Sequence, residues 1–497
     1  MRSIDWLNPT RIIKKDPFGG VCLKIPDLLM PFCWLLGLML FLPSLRGPGL
    51  FLDGMTYAAV SRNLAMGLGT YWDPFYTATL YPHFFEAFPL GLILQSWFFQ
   101  VFGDGFWVEK FYALVVFIGL TGAILVIWRQ LVWAAGLPAL QRYVWFPVLL
   151  LLLVPKVVWS FRNNLLENTV LFYDLLAVYC LIRALGCHIG LRQIGYGFSA
   201  ALLTVGALMC KGPAGLFPLA TAYILGVCGV FPFKRCFWLG SAIWIWFFGL
   251  VFGLMQLGFV ANFANHFWAE HLAPAVWGNR ADGHSFWTLA ISLGKQLAPA
   301  VLLCLACVGL MAGQQPLKRG PFKLGLSLCL IGLSASLPLG ISQTFRSFYL
   351  VPALPFFCLG LAMWTAARLA KSRSSITLPR WFVIALGTVL VFGLGFVGLD
   401  WGKPTRDAAY FQHSALLQSV SQSSGVLGGD SAFQTNWQVQ ALLARYYRIS
   451  LQTQNAPTSQ HPYILHDSAS QIPPGYELSG QYFGPYPLLE KHKPSAP

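Results

Sequence analysis

The sequence predicts an all-α polytopic membrane bundle of about eleven spanning helices, with interfacial helices and a small soluble unit at the C-terminal end. Three observations predict it. Of the 497 residues, 56% are hydrophobic and only 10% charged, against roughly 25% charged in a soluble domain. The apolar residues come in blocks of roughly twenty, the length that crosses about 30 Å of hydrocarbon. Finally, every second loop between blocks is basic, the signature of segments that stay in the cytoplasm.

Segment 1–27 opens the chain with Arg2, Arg11, Lys14, Lys15 and Lys24. The apolar run that follows ends in Pro43–Pro48 with no small-residue cleavage site, so it reads as a retained first helix and not a removed signal peptide. Spans are expected near 28–46, 107–128, 143–161, 167–185, 195–210, 213–231, 236–260, 288–312, 322–341, 347–369 and 380–399. The alternate loops hold Arg129/Arg142, Arg183/Arg192, Lys234/Arg235, Lys318/Arg319/Lys323 and Arg368/Lys371/Arg373/Arg380. Of the acidic residues, only Asp5, Asp16 and Asp27 fall on that side. Block 87–103 is apolar enough to tempt a span, yet counting it would invert every later loop. With Trp97, Phe98 and Phe99 it reads as a helix in the outer interface.

This places the N-terminus in the cytoplasm and the C-terminus outside. The organisation is a cytoplasmic segment 1–27, a membrane domain 28–399 with a first outer loop 47–106, and a polar extracytoplasmic tail domain 400–497. No internal repeat or inverted pattern of broken helices is visible.

Net charge +15 raises nucleic acid as a partner, but Lys and Arg sit in short clusters between apolar blocks and form no basic face with interleaved aromatics, so nucleic-acid binding is excluded. The eleven cysteines fall almost entirely within apolar blocks, with no zinc-type CxxC pair, and read as small buried side chains.

Ionisable residues at membrane depth are costly and mark function, and here they gather on the outer side. Asp53 follows the first span. A carboxylate there could take a proton from an attacking hydroxyl or cap a helix starting near Thr56. Glu86, with His266, His271 and His284 far downstream, supplies ligands suited to Zn²⁺ or to Mn²⁺ and Mg²⁺, or else interfacial imidazoles bonded to backbone carbonyls. Lys211 and Arg346 are lone cations in short outer turns, able to hold a phosphate or to snorkel to headgroups. Lys211-Gly212-Pro213 lacks the preceding glycines of a nucleotide phosphate loop.

At these residues the chain resembles the GT-C-type glycosyltransferases that use polyprenyl-phosphate sugars, in particular the bacterial lipid A aminoarabinose transferase and the protein O-mannosyltransferases. Six short motifs over roughly 28–370 carry the resemblance, in order. They are Asp53 with Tyr57-Ala58 and Ser61-Arg62; Phe85-Glu86-Ala87-Phe88-Pro89; Leu166-Glu167; Lys211-Gly212; Phe267-Trp268-Ala269-Glu270-His271 with His284-Ser285-Phe286-Trp287; and Arg346, Tyr349 and Pro352.

The resemblance implies a donor entering laterally from the outer leaflet, with Asp53 as base supported by Glu167. It implies Glu86 and His271, with His284, as candidate ligands of a divalent metal, and Arg346 and Tyr349 near the donor phosphate. Arg62 and Lys211 join them as candidate phosphate contacts. The expected partners are a polyprenyl-phosphate sugar, membrane lipids, and a glycan, lipid or protein acceptor. This chain departs from its relatives in Gly54, where the family often has Glu; in Ala87, where the aminoarabinose branch has Lys; and in Glu167, where several have Asp. Two other classes compete. A transporter or flippase of lipid-linked sugars would need polar residues at mid-depth in its spans, and a membrane scaffold leaves the outer acids and histidines unexplained.

Overall fold

A computed structural model describes residues 25–277, 286–309, 317–341, 345–370, 380–411, 415–423, 425–453 and 461–492. The first span is α1 (Ile25–Arg46). The first loop then folds into α2 (Leu52–Ala65), a two-stranded ribbon β1 (Gly69–Thr70) and β2 (Asp73–Pro74), and α3 (Leu90–Phe102). The bundle continues with α4 (Val108–Ala134), α5 (Trp145–Leu152), α6 (Pro155–Arg162), α7 (Leu166–Gly186), α8 (Leu191–Lys211), α9 (Pro218–Val227) and α10 (Phe233–Met255). After α11 (Gly258–Phe267), a π-helical turn at Trp268–Leu272 and α12 (Ala273–Trp277) come α13 (Phe286–Gly309), α14 (Arg319–Ser336), α15 (Leu354–Leu369) and α16 (Arg380–Asp400).

Each of the eleven apolar segments predicted as a span contains helix, but they differ in kind. Seven helices are long and apolar enough to cross a membrane, or eight if one bent pair counts as a single span. That pair covers the predicted 143–161 span, which breaks by 73° between Leu152 and Pro155. Pro155 has no N–H to give, so the helix stops and restarts there. Segments 213–231, 347–369 and 380–399 correspond to α9, α15 and α16, which count only as shorter apolar helices among the described residues. Block 87–103 is the 13-residue α3, packed on α2 with Gln95 and Ser96 buried. The protein is an integral membrane protein.

The core of the bundle is built on α4, α7, α8 and α15, with residues such as Trp128, Leu120, Val178 and Met363 fully enclosed. The tight α7–α8 hairpin, closed by residues 187–190, returns the chain so that Leu166 and Lys211 lie at the same end.

After α16 come α17 (Ala415–Ser423), β3 (Val426–Gly429), α18 (Trp437–Leu442), β4 (Ser450–Thr453), β5 (Tyr463–Leu465), β6 (Tyr476–Phe483) and β7 (Tyr486–Lys491). The strands form one mixed sheet in the order β4-β3-β5-β7-β6. β3 runs parallel to β4 and β5, and β7 antiparallel to β5 and β6. This unit is not separate from the first loop: Leu50 and Met55, both fully buried, belong to the same hydrophobic cluster as Leu417, Phe433 and Leu488. A boundary drawn at residue 400 therefore cuts through a shared core.

Candidate active site

The first turn of α2 carries Asp53. The N-cap is Phe51, whose side chain bonds nothing in the helix, so Asp53 lies inside the first turn and is not the cap that a start near Thr56 would have made it. Gly54 follows because α2 presses against the turn before α7: a Cβ at Gly54 would lie 1.9 Å from the Asn163 carbonyl oxygen. A side chain beside this Asp has no room. Asn163 accepts from the Phe51 N–H through Oδ1 at 2.7 Å. Asn164, held at positive φ, accepts from Gln95 Nε2 at 2.6 Å. This asparagine turn leads directly into Leu166-Glu167, and so fixes Asp53 and Glu167 relative to one another.

Glu167 and Lys211 face each other across the α7–α8 hairpin, with Nζ donating to Oε1 at 2.6 Å. The Lys211 ammonium also lies 5.3 Å from the Tyr57 ring centre, 5.7 Å from Phe348 and 5.5 Å from Tyr349. Ammonium over aromatic faces is attracted by the ring quadrupole. Glu167 is almost wholly buried, and its second oxygen, Oε2, finds no hydrogen-bond partner among the described residues. A buried charged oxygen left in this way is expensive. Gly212, at φ 78°, lets the chain turn directly after Lys211, where a Cβ would meet the Phe267 ring at 3.0 Å.

Asp53 lies within the field of Lys211 and Arg346. Burial pushes its pKa above the ordinary carboxylate range, and the two cations pull against that rise. Glu86 is driven up to about 7, first by burial and then by the charge of Asp53, with Tyr81 bonding to it and Lys211 opposing the rise. Asp53, Glu86, Glu167, Lys211, Arg346 and Tyr349 thus form one electrostatic group. Arg346 is exposed beside the short 3₁₀ turn Ser347–Leu350 that carries Tyr349.

Arg62 does not join them. Its guanidinium is 4% exposed, and all three nitrogens are engaged elsewhere. Nε and Nη2 donate to Asn63 Oδ1, Nη2 also donates to the Ala444 carbonyl, and Nη1 donates to the Arg445 carbonyl. The expectation of a phosphate contact gives way to a structural one, because the C-terminal unit covers this face of α2. The cation acting on Glu86 is Lys211 instead, and Ala87 is fully buried in a cluster with Tyr57, Val60 and Leu166.

The histidine segment docks beside the first loop. Phe85, Phe88, Phe263 and Phe267 form one cluster, and His266 stacks on Phe85 at 4.6 Å. His266 Nδ1 lies 3.0 Å from Glu270 Oε1, and His271 Nε2 lies 4.0 Å from Glu270 Oε2. Among the described residues no group of three or more His, Cys, Asp or Glu side chains could hold a metal ion. Glu86 and His271 alone make no metal centre, and His284 lies outside the described residues.

Several neighbours carried no clear sequence signal. Phe51, Trp159 and Phe348 form an aromatic wall, with centroids 5.1–5.9 Å apart, and Lys156 caps Trp159 at 4.2 Å. A run of Asn-Asn between apolar blocks was the one visible hint of the turn that sets Glu167. Deeper in α7, Asp174 is fully buried with neither carboxylate oxygen hydrogen-bonded.

A largely helical membrane bundle, a long first outer-type loop and a small mixed sheet docked on that loop define the fold. No family model matches the chain, and no curated protein is similar to it in sequence. Among solved structures, the apo form of ArnT from Cupriavidus metallidurans is similar over 92% of this chain and 97% of its own, at 13% identity and a TM-score of 0.56. The same protein bound to undecaprenyl phosphate aligns over 85% and 75%, at 15% identity and a TM-score of 0.49. The Archaeoglobus fulgidus oligosaccharyltransferase solved with Zn and sulfate aligns over 88% and 68%, at 13% and 0.45. The helical bundle with its small C-terminal sheet is thus ArnT-like in fold.

Proposed function

We propose that the chain is an integral membrane glycosyltransferase that moves a sugar from a polyprenyl-phosphate-linked donor to a lipid, glycan or protein acceptor. The reading places about eleven crossings in a bacterial inner membrane, with the N-terminus cytoplasmic and the site and C-terminal unit outside. The observation that carries it is the buried Glu167–Lys211 pair, open at Glu167 Oε2 and set beside Asp53 and Arg346. The fold shared with ArnT supports it, and a structure of that protein holds undecaprenyl phosphate.

In this mechanism the acceptor oxygen bonds to the anomeric carbon as the carbon–oxygen bond to the phosphate breaks, and the polyprenyl phosphate leaves with the electron pair. Asp53 takes the acceptor proton. Its raised pKa makes it a stronger base than an ordinary carboxylate. Lys211, Arg346 and Tyr349 face the phosphate as negative charge grows on it, where fixed cations lower the barrier most. Glu167 holds the Lys211 ammonium in place. Glu86 and His271 alone do not hold a divalent metal, and no step is assigned to one.

Asp53→Asn tests the proposal. The variant should express and melt like the parent while transfer of sugar from a polyprenyl-phosphate donor falls by at least about 100-fold. Parental turnover in that variant would remove Asp53 from the role.

One observation favours a transporter of lipid-linked sugars as the second reading. Asp174 lies eight residues into α7, roughly 12 Å down the helix, where such a protein would keep its polar groups. The two readings part in detergent, where a transferase consumes its donor without two compartments and a transporter has nothing to do.

A further inference from the structure

The far end of the α7–α8 hairpin carries a second feature. Gln193 and Ile194, near the start of α8, lie 17 or 18 residues from Lys211, roughly 26 Å along the helix. That is close to one hydrocarbon thickness. There α8 and the start of α10 enclose a groove of about 650 Å³, lined by Gln193, Ile194, Lys234, Arg235, Trp238 and Trp246. Its size lies within the range of ligand sites. Its walls are apolar and open to the bundle exterior, with Ile194 52% and Trp238 63% exposed.

Its mouth is cationic and short of partners. Arg235 Nη2 makes one long bond of 3.4 Å to the Ala184 carbonyl, and its buried Nε finds no hydrogen-bond partner among the described residues. The sequence holds no Asp or Glu between Asp174 and Glu270, so neither helix of the groove supplies a counter-charge. Lys323 adds to the same sign, with its Nζ beside Gly229 just before α10. Phe233 opens α10 behind a proline cap with no side-chain acceptor, and the positive end of the helix dipole therefore points at the same mouth. Tryptophan and a cation side by side are what a membrane interface selects.

We infer that this groove is a binding site for an anionic glycerophospholipid of the leaflet opposite the Asp53 site. Its phosphodiester sits on Lys234 and Arg235, and its acyl chains lie along Ile194, Trp238 and Trp246. The inference rests on the chain spanning the bilayer and is independent of the transferase reading.

Native mass spectrometry of the full chain, ejected from nanodiscs of equal phosphatidylglycerol and phosphatidylcholine, tests it. The parent should retain phosphatidylglycerol over phosphatidylcholine by about fivefold, the factor one cation carries at an anionic surface. Lys234→Gln/Arg235→Gln should bring the ratio to parity. Arg142→Gln, an exposed cation outside the groove, should leave it unchanged. Trp238→Ala keeps the charges and should lose bound lipid of both kinds, which tests the apolar half even if the double variant is poorly folded. Parity in the parent, or equal loss in Arg142→Gln, would overturn the site. So would displacement of the lipid by millimolar inorganic phosphate, which would assign the cations to a free anion. A parent that runs as a dimer and becomes monomeric in Lys234→Gln/Arg235→Gln would assign the groove to a second copy instead.

Discussion

Two buried charge clusters lie at the same end of this molecule and are built in opposite ways. Around Arg445, which is 2% exposed, every guanidinium nitrogen has an acceptor. Glu109 takes bonds at 3.3 and 2.7 Å from Nε and Nη2, Asp104 takes one at 2.8 Å from Nη1, and the Gly105 carbonyl takes one at 3.1 Å. Arg448 adds two bonds to Asp104 Oδ2, and Arg62 closes the group on the Arg445 carbonyl. Around Lys211, by contrast, Glu167 leaves Oε2 without a partner, and Asp53 and Glu86 hold charge against burial. A saturated network fixes geometry, while a cluster with open valences keeps places for a ligand. The first clamps the C-terminal unit to the first loop, and the second ties α2 of that loop to the α7–α8 hairpin.

The largest effect on stability is expected from breaking the saturated cluster. Arg445→Ala strands Glu109, which is fully buried, and frees Asp104, so it should cost about 3–5 kcal/mol. Protease should then release the C-terminal unit from the membrane domain in detergent. A loss under about 1 kcal/mol would mean that the hydrophobic junction at Leu50 and Met55 holds the unit alone.

The open cluster should respond the other way. Glu167→Gln with Lys211→Met removes both charges, and replacing a buried pair by neutral groups is often neutral to stability within about 1–2 kcal/mol. Transfer should nevertheless fall by at least about 100-fold, as when a fixed electrostatic stabiliser is lost. The matched control, Glu109→Gln with Arg445→Met, should still destabilise by about 1–3 kcal/mol, because Asp104 Oδ1 and the Gly105 carbonyl lose their Arg445 donors. Equal stability losses in the two double variants would erase the distinction between the clusters.

The sequence carried the bundle well, because a span is a local property: twenty apolar residues and a basic loop are written contiguously. Two things escaped it. The 143–161 segment looked like one span although Pro155 marked the break, since mean apolarity hides a single missing N–H. The saturated cluster was invisible because Arg62 and Arg445 are separated by most of the chain, and nothing local says that one will bury the other. For that reason Arg62 looked like a free cation. The members of the open cluster were legible only as an ordered set of short motifs. Their convergence depends on Gly54, the Asn163-Asn164 turn and Gly212, small residues whose role appears once backbones touch.

The smallest expected effect concerns Glu86, and it tests whether the open cluster stores charge. In the folded protein its pKa is about 7, against an ordinary value of 4.5. The native state therefore binds the proton more tightly than the unfolded chain does. The stability this contributes is complete below about pH 4.5 and is lost as pH rises to about 7. Glu86→Gln cannot titrate, so its melting temperature should rise relative to the parent by about 2–4 °C across that window and stay higher above it. Ionised Asp53 is, after burial, the second cause of the raised Glu86 pKa. In an Asp53→Asn background the upper end of that melting window should therefore move to lower pH, as removal of a nearby negative charge requires. A melting difference that is flat from pH 4.5 to 7, or a window that Asp53→Asn leaves in place, would show that Glu86 is no part of the Asp53 field.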